Sequence, residues 1–241
     1  MPSVSLRKRL YFLVAVGILP LAAMAGIGLY ALAQQQRGQT ERAGLELARA
    51  LATAVDAELR GIISVLEALA TSIALDGPDL SRFRERADRV LATQPSWAAV
   101  MLADPVGKRI LDTRFPPGAS LPPLAESRSF EAVVRTREPV VGNLVPGVAG
   151  ALLFAVRVPV IRNGEVRFVL SGLVKPETML GVIKRQRAPD DWVISIFDAN
   201  GLRVARSRAH PQTVGGPASV SLQALMAGRA AEGVGVTYAL E

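Results

Sequence analysis

Cysteine is absent from this chain of 241 residues. Its absence excludes disulfide frameworks, thiol nucleophiles, Cys-type zinc sites and thiol redox sensing, and it suits an oxidising compartment. Histidine occurs once, as His210, ahead of Pro211. A Ser-His-Asp hydrolase would need that residue beside a nucleophile and an orienting acid, and no G-x-S-x-G elbow occurs. Metal-ligand clusters and glycine-rich phosphate loops are missing too; Gly215-Gly216-Pro217 reads as a turn. No catalysis, metal or cofactor is expected. Aromatic residues make up only 5% of the chain, too few for a platform on which bases stack. The net charge of +7 comes from arginines interleaved with acids, with no run longer than Arg7-Lys8-Arg9, so no nucleic-acid partner is expected.

Charge is also missing from Leu10 to Ala33. As a helix this stretch would be about 36 Å long, enough to cross a hydrocarbon core of about 30 Å. Arg7, Lys8 and Arg9 precede it and only Arg37 follows closely, which places residues 1–9 in the cytoplasm and the remainder outside. Tyr11 and Tyr30 lie near the two ends, where such rings favour the interface. Ala23-Met24-Ala25 and Ala31-Leu32-Ala33 resemble signal-peptidase sites, but the apolar run exceeds the usual 7–15 residues of a signal core. An uncleaved anchor at 10–33 is expected; either alternative leaves the body of the protein in the same compartment.

From Gln34 to about Leu75 there is no proline. Ala48, Ala52, Val55, Leu59, Ile62, Leu66, Leu69 and Ile73 recur at near-heptad spacing, the seam of one long helix. Its distal half is expected to pack on the chain's own domain, its proximal half on a second copy. Asp76-Gly77-Pro78 ends it.

Beyond it, Ser81 is a candidate N-cap for a helix to about Thr93. Trp97–Leu102 and Arg109–Thr113 read as strands around an Asp104-Pro105-Val106-Gly107 turn. Glu126–Thr136 reads as a helix, Val140–Val145 as a strand. Ala151–Ile161 and Glu165–Val174 flank Asn163-Gly164, a strong hairpin signal. A helix is expected over Pro176–Arg187. Sequential, hairpin-linked strands make the class α+β with an antiparallel sheet. Trp192–Phe197, the turn Asp198-Ala199-Asn200-Gly201 and Leu202–Ser207 repeat the first hairpin, and a helix at Ser221–Ala227 and a strand at Gly233–Leu240 are expected to follow. The domains are then 34–75 for the stalk helix, 76–189 for one complete sheet domain, and 190–241 for a second, truncated unit.

In this order, the anchor, the long helix, the two strand-D-x-x-G-strand hairpins, the Pro-rich loop running to Glu126-Ser127-Arg128-Ser129-Phe130, and the hairpin from Val158-Pro159-Val160 to Asn163-Gly164 resemble the double Cache family over most of Gln34–Glu241. These are PAS-like extracytoplasmic sensor regions of bacterial receptors. The resemblance implies an inner-membrane, single-pass sensor of small molecules that acts as a dimer and feeds an output such as a histidine kinase of a two-component system. Amino-acid-binding members use Arg-x-Trp-Tyr for the carboxylate, which here corresponds to Arg128-Ser129-Phe130-Glu131, and an Asp for the ammonium, which here falls near Val174-Lys175 with no acid present. A carboxylate ligand without an amine is therefore expected, between the sheet and the Glu126 helix, with Arg128, Phe130 and Lys175 as candidate contacts. Arg157 joins them if its face of the strand points inward rather than to solvent, and Asp112 and Arg114 if they line the pocket mouth rather than simply pair; Phe130 could equally be core. The alternative function is an anchored envelope binding or scaffold protein without signalling output. Fusions placed after Gln36 are expected to give active alkaline phosphatase and dark green fluorescent protein; the opposite pattern would overturn the orientation.

Overall fold

The structure, a computed structural model, describes residues 6–148, 150–228 and 231–235. They fall into two compact units, 6–49 with 231–234, and 50–228 with 235. Helix α1 (Leu6–Ala70) supplies residues to both. In the first unit Leu21, Met24, Ile27, Leu29 and Leu32 stay at least half exposed. Among the described residues α1 is the one helix long and apolar enough to cross a membrane, with a mean hydropathy of 2.0 over its apolar window.

In the second unit α1 packs by its distal stripe. Ile62, Leu66 and Leu69 are buried, whereas Ala48 and Ala52 are exposed. The helix ends at Ala70, earlier than the apolar spacing suggests. Ser72 takes an extended backbone (φ −61°, ψ 125°), and a short 3-10 turn, Ile73–Leu75, follows. Leu75 then fills the core position expected of Ile73, which is 83% exposed. The last carbonyls of α1 would otherwise lack partners; Arg162 donates to Ala70 O at 3.1 Å and Ser72 O at 3.2 Å.

Helix α2 (Ser81–Thr93) buries Phe83 and Ala87. Ser81 is its first residue rather than its cap: the Asp79 carboxylate accepts from Ser81 N at 2.9 Å and from Ser81 Oγ at 2.9 Å. Strands β1 (Trp97–Ala103) and β2 (Arg109–Asp112) form the first hairpin. Helix α3 (Arg128–Thr136) starts two residues later than expected, because Glu126 lies outside it and accepts from Ser129 N at 2.7 Å. Strands β3 (Val140–Val141), β4 (Val145–Pro146), β5 (Leu152–Arg162) and β6 (Glu165–Val174) complete an antiparallel sheet ordered β2-β1-β6-β5-β3, with β4 also on β5. Asn163 (φ 53°) and Gly164 (φ 81°) make the β5–β6 turn in the left-handed conformation that such two-residue loops require. The fold class is α+β.

The sheet has two unlike faces, set by the alternation of side chains along each strand. Val156, Val158 and Val160 lie on one, and there Gly172 comes so close that an added Cβ would sit 3.4 Å from both Leu66 Cδ1 and the Trp97 ring. On the other, Ala103, Phe130, Val133 and Val169 form a cluster under α3.

Helix α4 (Glu177–Arg185) buries Met179, Val182 and Ile183 and leads to a two-stranded sheet, β7 (Ser195–Phe197) and β8 (Arg203–Arg206). β7 is shorter than expected because Trp192 is held in a turn by Pro189 O at 3.0 Å. The two D-x-x-G turns share one hydrogen-bond pattern. Asp104 Oδ1 accepts from Val106 N and Lys108 N at 3.1 and 2.9 Å, and Asp198 Oδ1 from Asn200 N and Leu202 N, both at 2.9 Å. A one-turn helix α5 (His210–Thr213), which the sequence did not suggest, and α6 (Val220–Met226) follow. Gly233–Gly235 form no strand, and the rest of the expected last strand lies outside the described residues. Leu66→Ala removes a fully buried side chain where α1 meets the sheet; urea unfolding is expected to show a loss of about 2–5 kcal/mol.

Candidate functional site

On the α3 side of the sheet, a small, partly open cavity of about 50 Å³ is lined by Met101, Leu153, Ala155 and Leu173 from the strands, and by the 124–126 and 143–148 segments. Its polar wall is cationic: Arg109, Arg114 and Arg157 line it with Glu126.

Arg157 sits on β5 directly opposite Ser171 of β6. It is 3% exposed, which settles its orientation inward. A buried guanidinium is tolerated only when its donors are matched. Here Nε donates to Ser129 Oγ at 2.8 Å, Nη1 to Ser171 Oγ at 3.0 Å and Nη2 to Glu126 O at 3.1 Å. The Glu126 carboxylate lies 3.6 Å from Nη2 and also takes the Ser129 hydroxyl. Burial pushes the Arg157 guanidinium below its ordinary value; Glu126 opposes that and nearby Arg109 adds to it.

Asp112 is 1% exposed and holds the other two arginines. Arg114 grips it with both ends of its fork, Nε to Oδ1 at 2.9 Å and Nη2 to Oδ2 at 2.6 Å. Arg109 donates Nη1 to Asp112 Oδ2 at 3.2 Å and Nη2 to Pro123 O at 2.9 Å. Its Nε is buried without an acceptor among the described residues. Burial also lowers the Arg109 guanidinium, offset by Asp112 and reinforced by Arg114. Three guanidinium groups thus share two carboxylates, leaving one positive charge in excess.

Of the residues singled out from sequence, Arg157, Asp112 and Arg114 meet here. Asp112 and Arg114 do pair, but in the interior rather than at the surface. Phe130 belongs to the core under α3, with its ring 5.9 Å from the Arg157 guanidinium carbon, and does not line the cavity. Arg128 is exposed on the first turn of α3 and Lys175 is exposed with Nζ on Pro95 O at 3.0 Å; neither borders the cavity. Arg109, Glu126, Ser129 and Ser171 were not anticipated.

Arg109 was hidden by a bulge. Residues three apart on a strand point to opposite faces, yet Met101 opposes Asp112 and Ala103 opposes Arg109. The register slips at Ile110, which is 39% exposed, and both charged residues turn to the cavity side. Glu126 was misplaced because it was assigned to the helix it caps. Asp112→Ala leaves the buried guanidinium of Arg109 and the half-buried one of Arg114 without their carboxylate, and chemical denaturation is expected to show a loss of about 3–5 kcal/mol.

No family model matches the chain, and no curated protein does. Solved structures do. The ligand-binding domain of the Pseudomonas aeruginosa PAO1 amino acid chemoreceptor PctC, in complex with GABA, aligns over 82% of this chain and 87% of its own at 19% identity, with a TM-score of 0.57. The extracellular domain of rpHK1S-Z16, described as a histidine kinase, aligns over 77% of this chain and 75% of its own at 18% identity and a TM-score of 0.56. The ligand-binding domain of the Pseudomonas fluorescens chemoreceptor CtaA, in complex with L-alanine, aligns over 70% and 72% at 15% identity and a TM-score of 0.51. With its antiparallel sheet and its paired D-x-x-G hairpins, this chain has the fold of chemoreceptor ligand-binding domains and of a histidine-kinase extracellular domain, the double Cache fold that its sequence resembles.

Proposed function

We propose that this chain is the extracytoplasmic sensing region of a single-pass receptor of the bacterial inner membrane, anchored through residues 10–33, and that its ligand is a small carboxylate without an amine. The observation that carries this reading is the excess guanidinium charge along the cavity wall. Arginine forks favour carboxylate geometry, and a carboxylate would offset the burial and, beside it, the repulsion from Arg114 that lower the Arg109 guanidinium. An ammonium finds no free acid there: Asp112 is taken by Arg109 and Arg114, and Glu126 by Ser129 and Arg157. The proteins of like fold that hold GABA and L-alanine support a ligand of that size, but both of those ligands carry amines.

A route outward from the cavity supports a signalling role. Ser171 touches Arg157 on one face of β6, and its neighbour Gly172 meets Leu66 of α1 on the other. A shift of the guanidinium on ligand binding is felt one residue away by the helix that leads to the membrane. The exposed proximal stripe around Ala48 and Ala52 is where a second copy would pack, so that two helices change register together. The output, a histidine kinase or a related signalling enzyme, belongs to the same proposal.

Calorimetry of the chain with a panel of short carboxylates and their α-amino counterparts tests the ligand class. The carboxylates are expected to bind more tightly, Arg114→Ala to weaken them roughly tenfold or more through loss of a charge-assisted contact, and Arg128→Ala to leave affinity unchanged. Equal affinity for the amino compounds, or full affinity in Arg114→Ala, would count against it.

A further inference from the structure

The stretch from β3 to β4 does not follow β5 evenly. Val141 opposes Val156 and Val145 opposes Leu153, so four steps on one side face three on the other. The extra residue makes a bulge at 142–144 and breaks the single strand expected over Val140–Val145. Gly142 N returns to Ala155 O at 2.7 Å, and the bulge leaves the amide of buried Leu144 without a ladder partner. Such a donor needs an acceptor. It finds Asp198 Oδ2 at 2.9 Å.

Asp198 is the first residue of the second D-x-x-G turn, and the repeat provides an internal control. In both turns the first aspartate spends Oδ1 on two turn amides. Asp104 makes no further hydrogen bond through Oδ2 among the described residues, whereas Asp198 uses its second oxygen on the bulge. The bulge is a wall of the arginine-lined cavity, since Asn143 and Val145 line it. Asn143 and Phe154 also border a separate space lined by Asp198 and Phe197. One carboxylate therefore folds its own turn and fixes the cavity wall.

We propose that Asp198 is a positioning residue for the anion cavity: its Oδ2 holds the 142–144 bulge against the β7–β8 hairpin, so that order in the wall and order in that hairpin form one linked equilibrium. Linkage is reciprocal, so a ligand that tightens the wall also tightens the hairpin. The ligand half of this statement rests on the anion reading above; the latch itself does not.

Hydrogen exchange by mass spectrometry on the full chain in nanodiscs, without ligand, tests the latch. Asp198→Asn keeps one carbonyl oxygen for the turn amides and loses the anionic acceptor for Leu144 N. Peptides covering 142–146 are expected to exchange roughly ten- to hundredfold faster, the range of a lost charge-assisted hydrogen bond, while peptides in β1 and β6 keep wild-type rates. Asp104→Asn, the matched turn without a latch, is expected to leave 142–146 unchanged. Wild-type exchange at 142–146 in Asp198→Asn, or equal acceleration by both variants, would overturn the proposal. Calorimetry with formate, acetate, propionate and succinate then separates the two claims. If any binds, Asp198→Asn is expected to weaken it about tenfold, in step with the lost contact, and full affinity in that variant would refute the positioning role. If none binds the wild type, the anion reading fails while the exchange result still decides the latch.

Discussion

A guanidinium removed from water must find acceptors for its donors, and that requirement at Arg157 organises the α3 side of this fold. Ser171 stands opposite it across the β5–β6 ladder. Ser129 reaches it from the first turn of α3, and Glu126, just ahead of that helix, brings a carbonyl and a carboxylate. Glu126 at the same time satisfies an amide at the start of α3. The helix can therefore begin only where the cation is neutralised. Even the β3 edge is involved: a Cβ on Gly142 would fall 2.8 Å from Ser129 Oγ and 3.0 Å from Glu126 Oε2, so the cluster leaves room only for glycine.

The sheet separates two environments at a thickness of one backbone. Its α1 face is apolar, with Val156, Val158 and Val160 fully buried. Its α3 face carries three arginines, two acids and the cavity. Close packing makes such an interior resist small displacements and pass them on. Adjacent residues of β6, Ser171 and Gly172, touch the two environments. Helix α1, which packs on the sheet at Gly172, lies one residue from the hydrogen bond that holds the cation.

The second D-x-x-G turn supplies the remaining connection. The two D-x-x-G turns keep the same amide contacts, so their backbones are equivalent. Equivalence leaves a spare oxygen on each aspartate, and the environment decides its use. At Asp198 the bulged β3–β4 segment presents Leu144 N, and the second turn becomes a support for the cavity wall.

Local rules set much of this protein from sequence alone. The charge-free run at 10–33, the apolar stripe at Ile62, Leu66 and Leu69, the Asn163-Gly164 hairpin and both D-x-x-G turns depend on neighbours only a few residues away, and a linear reading recovers them. The end of α1 and the identity of the inward arginines do not. Arg128 matched the pattern of a carboxylate-binding residue and is exposed; Arg109 matched nothing and is buried. For Arg109 the difference lies in the bulge at Ile110. Counting along a strand by twos presumes a regular ladder. One extra residue reverses every side chain beyond it, and only the partner strand determines where that residue is placed.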